Sequence, residues 1–440
     1  MSRRVVQAVA VLMAGVAFAD NAYLDGEAVV AQDAATRRVT VTYTLKQRAI
    51  VTMNVETNAG NGVWAPISGV AMQQPVGDVC RVIEPGARSI VWSPTVGFPN
   101  VSVAGDSLRV GIRVWSLEVP PDYMVIDLEQ DRFVRYYASE DEIPGGIGDR
   151  RYKTRYLVMR RIPAKGVTYW MGPEDTATAG SSTPATHASN QDFPRHKVAF
   201  TNDYYMAVYE LTQGQYLAGL RKLASPTNPS AYSGDDRDVH PLESCTVNQI
   251  RGNVSTYRYP DPAVDANSFI GQLRAISGIE TFDLPTEARW EFACRAGAGT
   301  QLWNGKSLDG IYSTPSANVD EIAWYRFNTR YFVDSVEMKN TKEVGTRGRN
   351  GWGLYDMLGN VCELCDDDWA EGPDWATDDN TTVVTNPVNR LSSDTRYAVR
   401  RAGSFTHQAD TCRCAARSSI PRGEPSWNLG YRLMCEVDVR

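Results

Sequence analysis

The N-terminal part of the chain alternates hydrophobic and polar residues with a period of two. The clearest run is 38–45, in which every second residue from Val39 to Leu45 is apolar. Three further segments share the pattern: 50–55, 89–92 and 108–115. A period of two is that of a half-buried strand. We therefore predict an all-β sandwich of immunoglobulin-like size over residues 20–118, with no recognisable catalytic motif.

The pattern changes after residue 160. Residues 204–210 indicate a strand, and Thr212 is a suitable N-cap for a short helix that follows it. Thr286 and Glu287 begin a second helix that is expected to reach Cys294. The remainder is rich in loops, including a Ser- and Thr-rich segment at 176–191.

Prolines divide the two patterns. Pro120 and Pro121 close the strand-rich block, because proline cannot continue a ladder of backbone hydrogen bonds. We expect a connector over 119–160 and a second domain over 161–440. A chain of 440 residues is also long for a single core.

The first 19 residues are typical of an export signal. Arg3 and Arg4 precede an apolar run at 5–16, and Ala17 to Ala19 form a small-residue cleavage site. The apolar run is shorter than the roughly 20 residues needed to cross a bilayer. We expect a mature protein without a transmembrane span that is secreted, periplasmic or held at the cell surface.

The net charge limits the class of binding partner, and the cysteine content bears on disulfide formation. A net charge of −7 disfavours nucleic acid, which needs clustered Lys and Arg. In an oxidising compartment the eight cysteines would mostly form disulfides. Cys80 stands apart from seven cysteines between Cys245 and Cys435, so at least one thiol is free or one bridge joins the two regions.

Five segments after residue 160 occur in a fixed order: 169–172, 209–216, 284–295, 351–361, and 401–405 continuing to 428–432. Together they resemble the formylglycine-generating enzyme, or sulfatase-modifying factor, family over residues 160–436. The resemblance implies a loop-rich domain related to C-type lectins. The fold class predicted for the whole chain is α+β.

The resemblance also implies a chemistry that this sequence lacks. The family enzyme holds Cu(I) with two cysteine thiolates and oxidises a substrate cysteine with O2. The equivalent positions are His407 and Ala409, in a loop about three residues shorter than the enzyme's, so copper is not expected. Catalytic residues stay unknown; the weak candidates are Ser404 as a nucleophile with His407 as its base, and Cys412 as part of a relocated metal site.

The family pattern implies a Cys294–Cys414 disulfide. We interpret Cys365 as the partner of Cys412, and Cys362 as bridging Cys245 or Cys435. A redox or zinc role for the Cys362–Cys365 pair would need a βαβ context or a second cysteine pair, and neither is evident. Cys362 replaces a tryptophan of the family.

A structural calcium site is also implied by the resemblance. Its ligands would be Asp356, Gly359, Val361 and Glu363, which combine carboxylate and carbonyl oxygens that suit Ca²⁺. The acidic run 366–368 could attract a cation as well, although such runs are usually solvated.

Two functions remain. The first is a ligand-binding or scaffold protein whose partner is a protein, peptide or glycan. Its candidate ligand-binding residues are His407, Gln408, Asp410, Arg422, Glu424 and Trp427. The alternative is a metal-dependent, O2-using oxidase that acts on cysteine-containing peptides, so the sequence leaves enzyme status open.

Overall fold

The computed structural model describes residues 22–58, 62–66, 75–94, 108–131, 133–173, 195–253, 263–309, 314–333, 336–371, 381–390 and 396–437. The predicted signal at 1–19 and the loop at 176–191 lie outside these residues. The chain divides into two compact units: the first takes in 1–123, 134–147 and 438–440, and the second 124–133 and 148–437. Residues 119–160, expected as a connector, thus contribute to both units.

The strands are β1 Val29–Gln32, β2 Val39–Leu45, β3 Ala49–Asn58, β4 Trp64–Pro66, β5 Val76–Gly77, β6 Arg81–Ile83, β7 Gly86–Trp92, β8 Leu108–Trp115, β9 Tyr123–Asp127, β10 Val134–Tyr137, β11 Tyr156–Ile162, β12 Thr168–Met171, β13 His196–Ala199, β14 Tyr204–Ala207, β15 Arg330–Val333, β16 Val336–Lys339, β17 Cys362–Asp368, β18 Val383–Thr385, β19 Tyr397–Arg401, β20 Ser418–Pro421, β21 Leu429–Gly430 and β22 Met434–Glu436. The α-helices are α1 Gln213–Gly219, α2 Val247–Ile250, α3 Phe269–Ser277, α4 Glu287–Arg295, α5 Ala317–Asp320 and α6 Arg326–Thr329. Short 3₁₀ turns lie at Glu140–Glu142, Arg150–Lys153, Arg237–Val239 and Ala409–Thr411.

The first unit is a sandwich of two antiparallel sheets. One sheet has the order β1-β2-β7-β5; in the other, β3 pairs with β8 on one side and with β4 and β6 on the other. Val39, Val41, Tyr43 and Leu45 of β2 are buried, as their alternation predicts. Apolar residues of both sheets share one core, so the predicted β-sandwich is confirmed.

The second unit combines small sheets with short helices. Its sheets have the orders β9-β11-β14-β22, β12-β13-β18 and β20-β19-β17-β21, beside a β15–β16 hairpin. β13 with β18 and β17 with β21 pair in parallel, whereas the pairs β11–β14, β14–β22, β12–β13, β17–β19 and β19–β20 are antiparallel. With the first unit, this composition confirms the α+β class. No helix among the described residues has the length and apolarity needed to span a membrane.

Both predicted helix starts are confirmed. The Thr212 hydroxyl accepts a hydrogen bond from the Gln215 backbone N–H at the start of α1. The Gln215 side-chain oxygen accepts one from the Thr212 backbone N–H, and the two bonds together form a capping box. Thr286 likewise caps α4 by accepting the Arg289 N–H. All nine residues of α4 are buried, including its charged ones. These two caps define where α1 and α4 begin.

Candidate functional site

A tight turn after β19 begins the loop that bears the candidate site. Gly403 has a φ of +70°, and a Cβ placed on it would lie 2.8 Å from Cys412 Sγ and 3.0 Å from the Thr411 carbonyl oxygen. Only glycine avoids both the strain and the clash. The chain therefore turns closely over Cys412 before it continues into Ser404 and His407.

His407 is held by two neighbours. The Ser404 hydroxyl lies 2.8 Å from its Nδ1, and Cys362 Sγ lies 3.7 Å from the same atom. Burial, followed by the nearby positive charge of Arg400, lowers the pKa of His407 to about 4. The imidazole is thus neutral at pH 7, and its Nε2 has no hydrogen-bond partner in the described part of the chain.

The predicted Ser404–His407 pair does form. However, no carboxylate of the described residues orients the imidazole, so the third member of a nucleophilic triad is lacking. Ser404 Oγ is also fully buried and lies 2.9 Å from the Thr406 hydroxyl. This arrangement positions the histidine ring and presents no accessible serine nucleophile.

A two-thiolate copper site does not fit these residues. His407 occupies the first position of the family pattern, and the second is Ala409, which is buried. Cys412 is fully buried, and burial raises the pKa of its thiol well above the usual range. A thiol buried in this way offers no ready thiolate for O2 chemistry on an external peptide.

All eight cysteines lie among the described residues, and all are free thiols in the structure. The sulfur atoms of Cys294 and Cys414 nevertheless lie 3.7 Å apart, where the family pattern implies a disulfide. Cys365 and Cys412 are both fully buried in one core cluster. The Cys294–Cys414 and Cys365–Cys412 disulfides stay predictions. The sulfur of Cys362 contacts His407, whereas its predicted partner was Cys245 or Cys435.

The two carboxylates of the predicted calcium site differ in their surroundings. Asp356 Oδ2 accepts the Gly345 N–H at 2.6 Å, and Oδ1 is buried without a hydrogen-bond partner among the described residues. Burial raises the pKa of Asp356 to about 6. Both oxygens of Glu363 accept from the Arg432 guanidinium instead. Asp356 fits a cation ligand, and Glu363 is already neutralised.

The backbone at the remaining calcium positions is tightly constrained. Gly359 has a φ of +85°, and a Cβ there would lie 2.5 Å from the Trp324 carbonyl oxygen. The Val361 N–H donates to Glu210, a buried carboxyl whose pKa burial raises well above its usual range. Whether these carbonyls bind Ca²⁺ stays a prediction.

The loop 404–413 and the loop 420–428 meet at two contacts. The rings of Phe405 and Trp427 are 5.3 Å apart and nearly perpendicular, and the Asn428 amide donates to the Thr406 hydroxyl at 3.0 Å. Phe405 is buried, whereas Trp427 is 52% exposed. The two loops therefore present a tryptophan in a fixed orientation.

The other predicted ligand-binding residues divide by exposure. Glu424 is exposed, and His407, Gln408 and Asp410 are half-buried. Arg422 is buried, and its guanidinium donates to Asp368 Oδ1 at 2.8 Å. Its placement on a binding surface was wrong, because the arginine neutralises a buried carboxylate. We call the remaining set, His407, Gln408, Asp410, Glu424 and Trp427, the loop surface.

Sequence reasoning missed the residues that join the loops. Thr406, Asn428 and Arg400 were not singled out, although Asn428 begins the last family-like segment. Cys362 was noted as a departure from the family but not as the neighbour of His407. The sequence signal for this contact is that both positions depart from the family pattern: Cys362 replaces a tryptophan, and His407 replaces a cysteine.

The fold and site define a class: a loop-rich α+β domain in which loops between short strands and helices display polar residues. Residues 171–437 match the family described as "Sulfatase-modifying factor enzyme 1-like domain". The chain belongs to this family.

Several known proteins are similar to this chain. It is 28% identical over 226 residues to the chaperone protein LppX of Paenibacillus barcinonensis, which covers 46% of this chain and 75% of that protein. It is 31% identical over 168 residues to the formylglycine-generating enzyme of Mus musculus, covering 35% of this chain and only 39% of the enzyme. The solved structure of PvdO from Pseudomonas aeruginosa has 18% identity and a TM-score of 0.45, over 64% of this chain and 94% of that one.

Proposed function

We propose that this chain is an exported ligand-binding member of the family, without copper oxidase chemistry, and that its ligand is an extended polypeptide. The observation behind this proposal is Trp427, which is half exposed yet fixed edge-on against the buried ring of Phe405. Tryptophan is the residue type most enriched among binding hot spots. A ring that is already ordered loses little entropy when a ligand covers it.

The polar residues of these two loops favour a polypeptide over a purely apolar ligand. Gln408 and His407 offer hydrogen-bonding groups on the loop that carries Phe405, and Glu424 adds an exposed negative charge on the loop that carries Trp427. Polypeptides supply both apolar side chains and backbone amides, which such a mixed surface can bind. The similarity to a protein named as a chaperone supports the same ligand class.

The oxidase alternative is less well supported by the cysteines. Cys412 and Cys414 are fully buried, and neither can reach a solvent-borne peptide thiol without rearrangement. An oxidase would consume O2 when the mature protein is supplied with copper and a cysteine-containing peptide. Absence of O2 consumption alongside polypeptide binding is the pattern that the proposal expects.

The binding test uses fluorescence anisotropy of a labelled unfolded polypeptide, reduced and carboxymethylated lactalbumin. We expect saturable binding to the mature chain, weakened at least about tenfold in Trp427→Ala, as for a hot-spot residue. Val383→Ala removes another exposed apolar side chain, 43% exposed on β18, and should leave the affinity unchanged. Equal affinity of the Trp427→Ala variant and the wild type would refute the proposal.

A further inference from the structure

Cys362 and His407 form the one contact between a thiol and an imidazole found in the described residues. Cys362 begins β17, and His407 lies in the loop after β19, so pairing of these two strands brings the side chains together. Their closest atoms, Sγ and Nδ1, are 3.7 Å apart. The Ser404 hydroxyl approaches the same nitrogen. Sulfur, nitrogen and oxygen donors thus converge at one point.

We propose that Cys362 Sγ and His407 Nδ1 bind one soft monovalent metal ion, of the class represented by Cu(I) and Ag(I). This site shares the His407 position with the cysteine pair of the family pattern but takes its sulfur donor from Cys362, and it does not depend on polypeptide binding. Taking the bond lengths known for zinc, about 2.3 Å to sulfur and about 2.05 Å to nitrogen, as a guide, a trigonal angle places the two donor atoms about 3.8 Å apart. The observed separation needs almost no movement of either side chain.

The donor number favours a metal of low coordination. No group of three or more His, Cys, Asp or Glu side chains that could hold a metal occurs among the described residues. A tetrahedral zinc site would need at least three protein ligands. Two soft donors with a third position left to a hydroxyl or to an external ligand suit Cu(I) or Ag(I) better, since thiolate and imidazole both favour copper.

Charge balance points to a monovalent ion. Burial raises the pKa of the Cys362 thiol to about 11, so the incoming metal ion must displace its proton. Once it has done so, one thiolate and one neutral imidazole neutralise a single positive charge completely. A divalent ion would leave one net positive charge in a buried site close to the Arg400 guanidinium, whose field already acts on both Cys362 and His407. An uncompensated buried charge is strongly unfavourable. The site should therefore select Cu(I) or Ag(I) over Zn²⁺.

Access to the site runs past the histidine. Cys362 is buried, but His407 is half-buried, and its Nε2 lacks a protein partner within the described ranges. The Ser404 hydroxyl can rotate away from Nδ1, because it also contacts the Thr406 hydroxyl at 2.9 Å. Cys412 is less accessible, since its sulfur packs against Gly403.

The test titrates the reduced mature protein with Ag(I), or with Cu(I) against a competing chelator, under nitrogen. We expect one equivalent to bind, with affinity reduced at least about 100-fold in Cys362→Ser and at least about tenfold in His407→Gln. X-ray absorption of the copper-loaded protein should show one sulfur and at least one nitrogen. Zn²⁺ should bind much more weakly.

Cys414→Ser and Cys435→Ser are the matched controls, because both remove a buried thiol elsewhere in the same unit. Neither should change the affinity. The Cys414 control is needed because Cys294 and Cys414 place two sulfur atoms 3.7 Å apart and offer a competing site. Loss of binding in Cys414→Ser, or two sulfur neighbours in the absorption spectrum, would overturn the proposal.

Discussion

The Arg432 guanidinium donates to both carboxylate oxygens of Glu363, at 2.6–3.0 Å, and neither side chain is exposed. The same guanidinium donates to the carbonyl oxygens of Ala207, Val208 and Tyr355. Arg432 therefore joins β14, the 351–361 segment and β17. Because Glu363 follows Cys362 directly, this ion pair also fixes the strand that carries the thiol next to His407.

Removal of Arg432 should destabilise the second unit strongly. Arg432→Met leaves the Glu363 charge buried without its partner, and we expect the free energy of unfolding to fall by about 3–5 kcal/mol. Urea unfolding at pH 7 measures the change. The double variant Glu363→Gln with Arg432→Met should recover part of the loss, because no uncompensated charge remains. A loss below about 1 kcal/mol for the single variant contradicts this role.

The local features of this fold could be predicted from the sequence, and the buried charges could not. Thr212 was identified as a cap and Thr286 as the start of a helix because helix starts depend on residues only three apart. The acidic run 366–368 was expected to be solvated, yet it lies within β17, where all seven residues are buried. Its neutralising partners, Arg390 and Arg422, follow at distances along the chain that no local pattern reveals.

The candidate site shows the same limit. The departure of Cys362 and His407 from the family pattern was visible in the sequence, but their contact depends on the β17–β19 pairing. Of the predicted ligand-binding residues, Trp427 and Glu424 are exposed, whereas Arg422 is buried. All three have loop-like surroundings in the sequence. Only the tertiary position of Asp368 decides that the arginine turns inward.

Acid should unfold the second unit partly through Glu287. Burial by itself raises the pKa of this carboxyl, but the guanidinium groups of Arg401 and Arg417 outweigh it and hold the pKa below its ordinary 4.5. A depressed pKa in the folded state means stabilisation that is present above pH 4.5 and lost as the pH falls below it. Urea unfolding from pH 7 to pH 3 should therefore show a steep loss below pH 4.5.

The Glu287→Gln variant isolates this contribution. It should be less stable than the wild type at pH 7, and the difference between the two proteins should shrink between pH 4.5 and pH 3. The low pH range is needed because burial, together with the charge of Glu287, raises the pKa of Asp367 to about 6; Asp367 acts with the opposite sign, and it is already protonated in the folded state below pH 4.5. Glu424→Gln, at an exposed position, serves as the control. A constant difference across this range would exclude the assignment to Glu287.

Oxidation should join Cys294 to Cys414 selectively. Their sulfur atoms are 3.7 Å apart, so an approach of less than about 2 Å completes a disulfide of normal length. Peptide mapping of the mildly oxidised protein without reduction should recover this pair, and Cys245 and Cys435 should stay reduced. The bridge closes a long loop, and we expect it to stabilise the protein by roughly 2–5 kcal/mol. Recovery of Cys414 in any other pair would contradict the prediction.

Calcium should stabilise the protein through Asp356. Its Oδ1 is buried without a partner in the described structure, and a cation bound there would relieve the cost of that isolated oxygen. A ligand at 100 times its dissociation constant adds about 2.7 kcal/mol of stability. The melting temperature in millimolar Ca²⁺ should therefore exceed that in chelator. Asp356→Asn should abolish the increase, whereas Asp410→Asn, which alters another unpartnered carboxylate oxygen, should retain it. If Ca²⁺ leaves the wild-type melting temperature unchanged, Asp356 is a buried carboxyl without a metal, and its raised pKa means that it is held partly protonated near neutral pH.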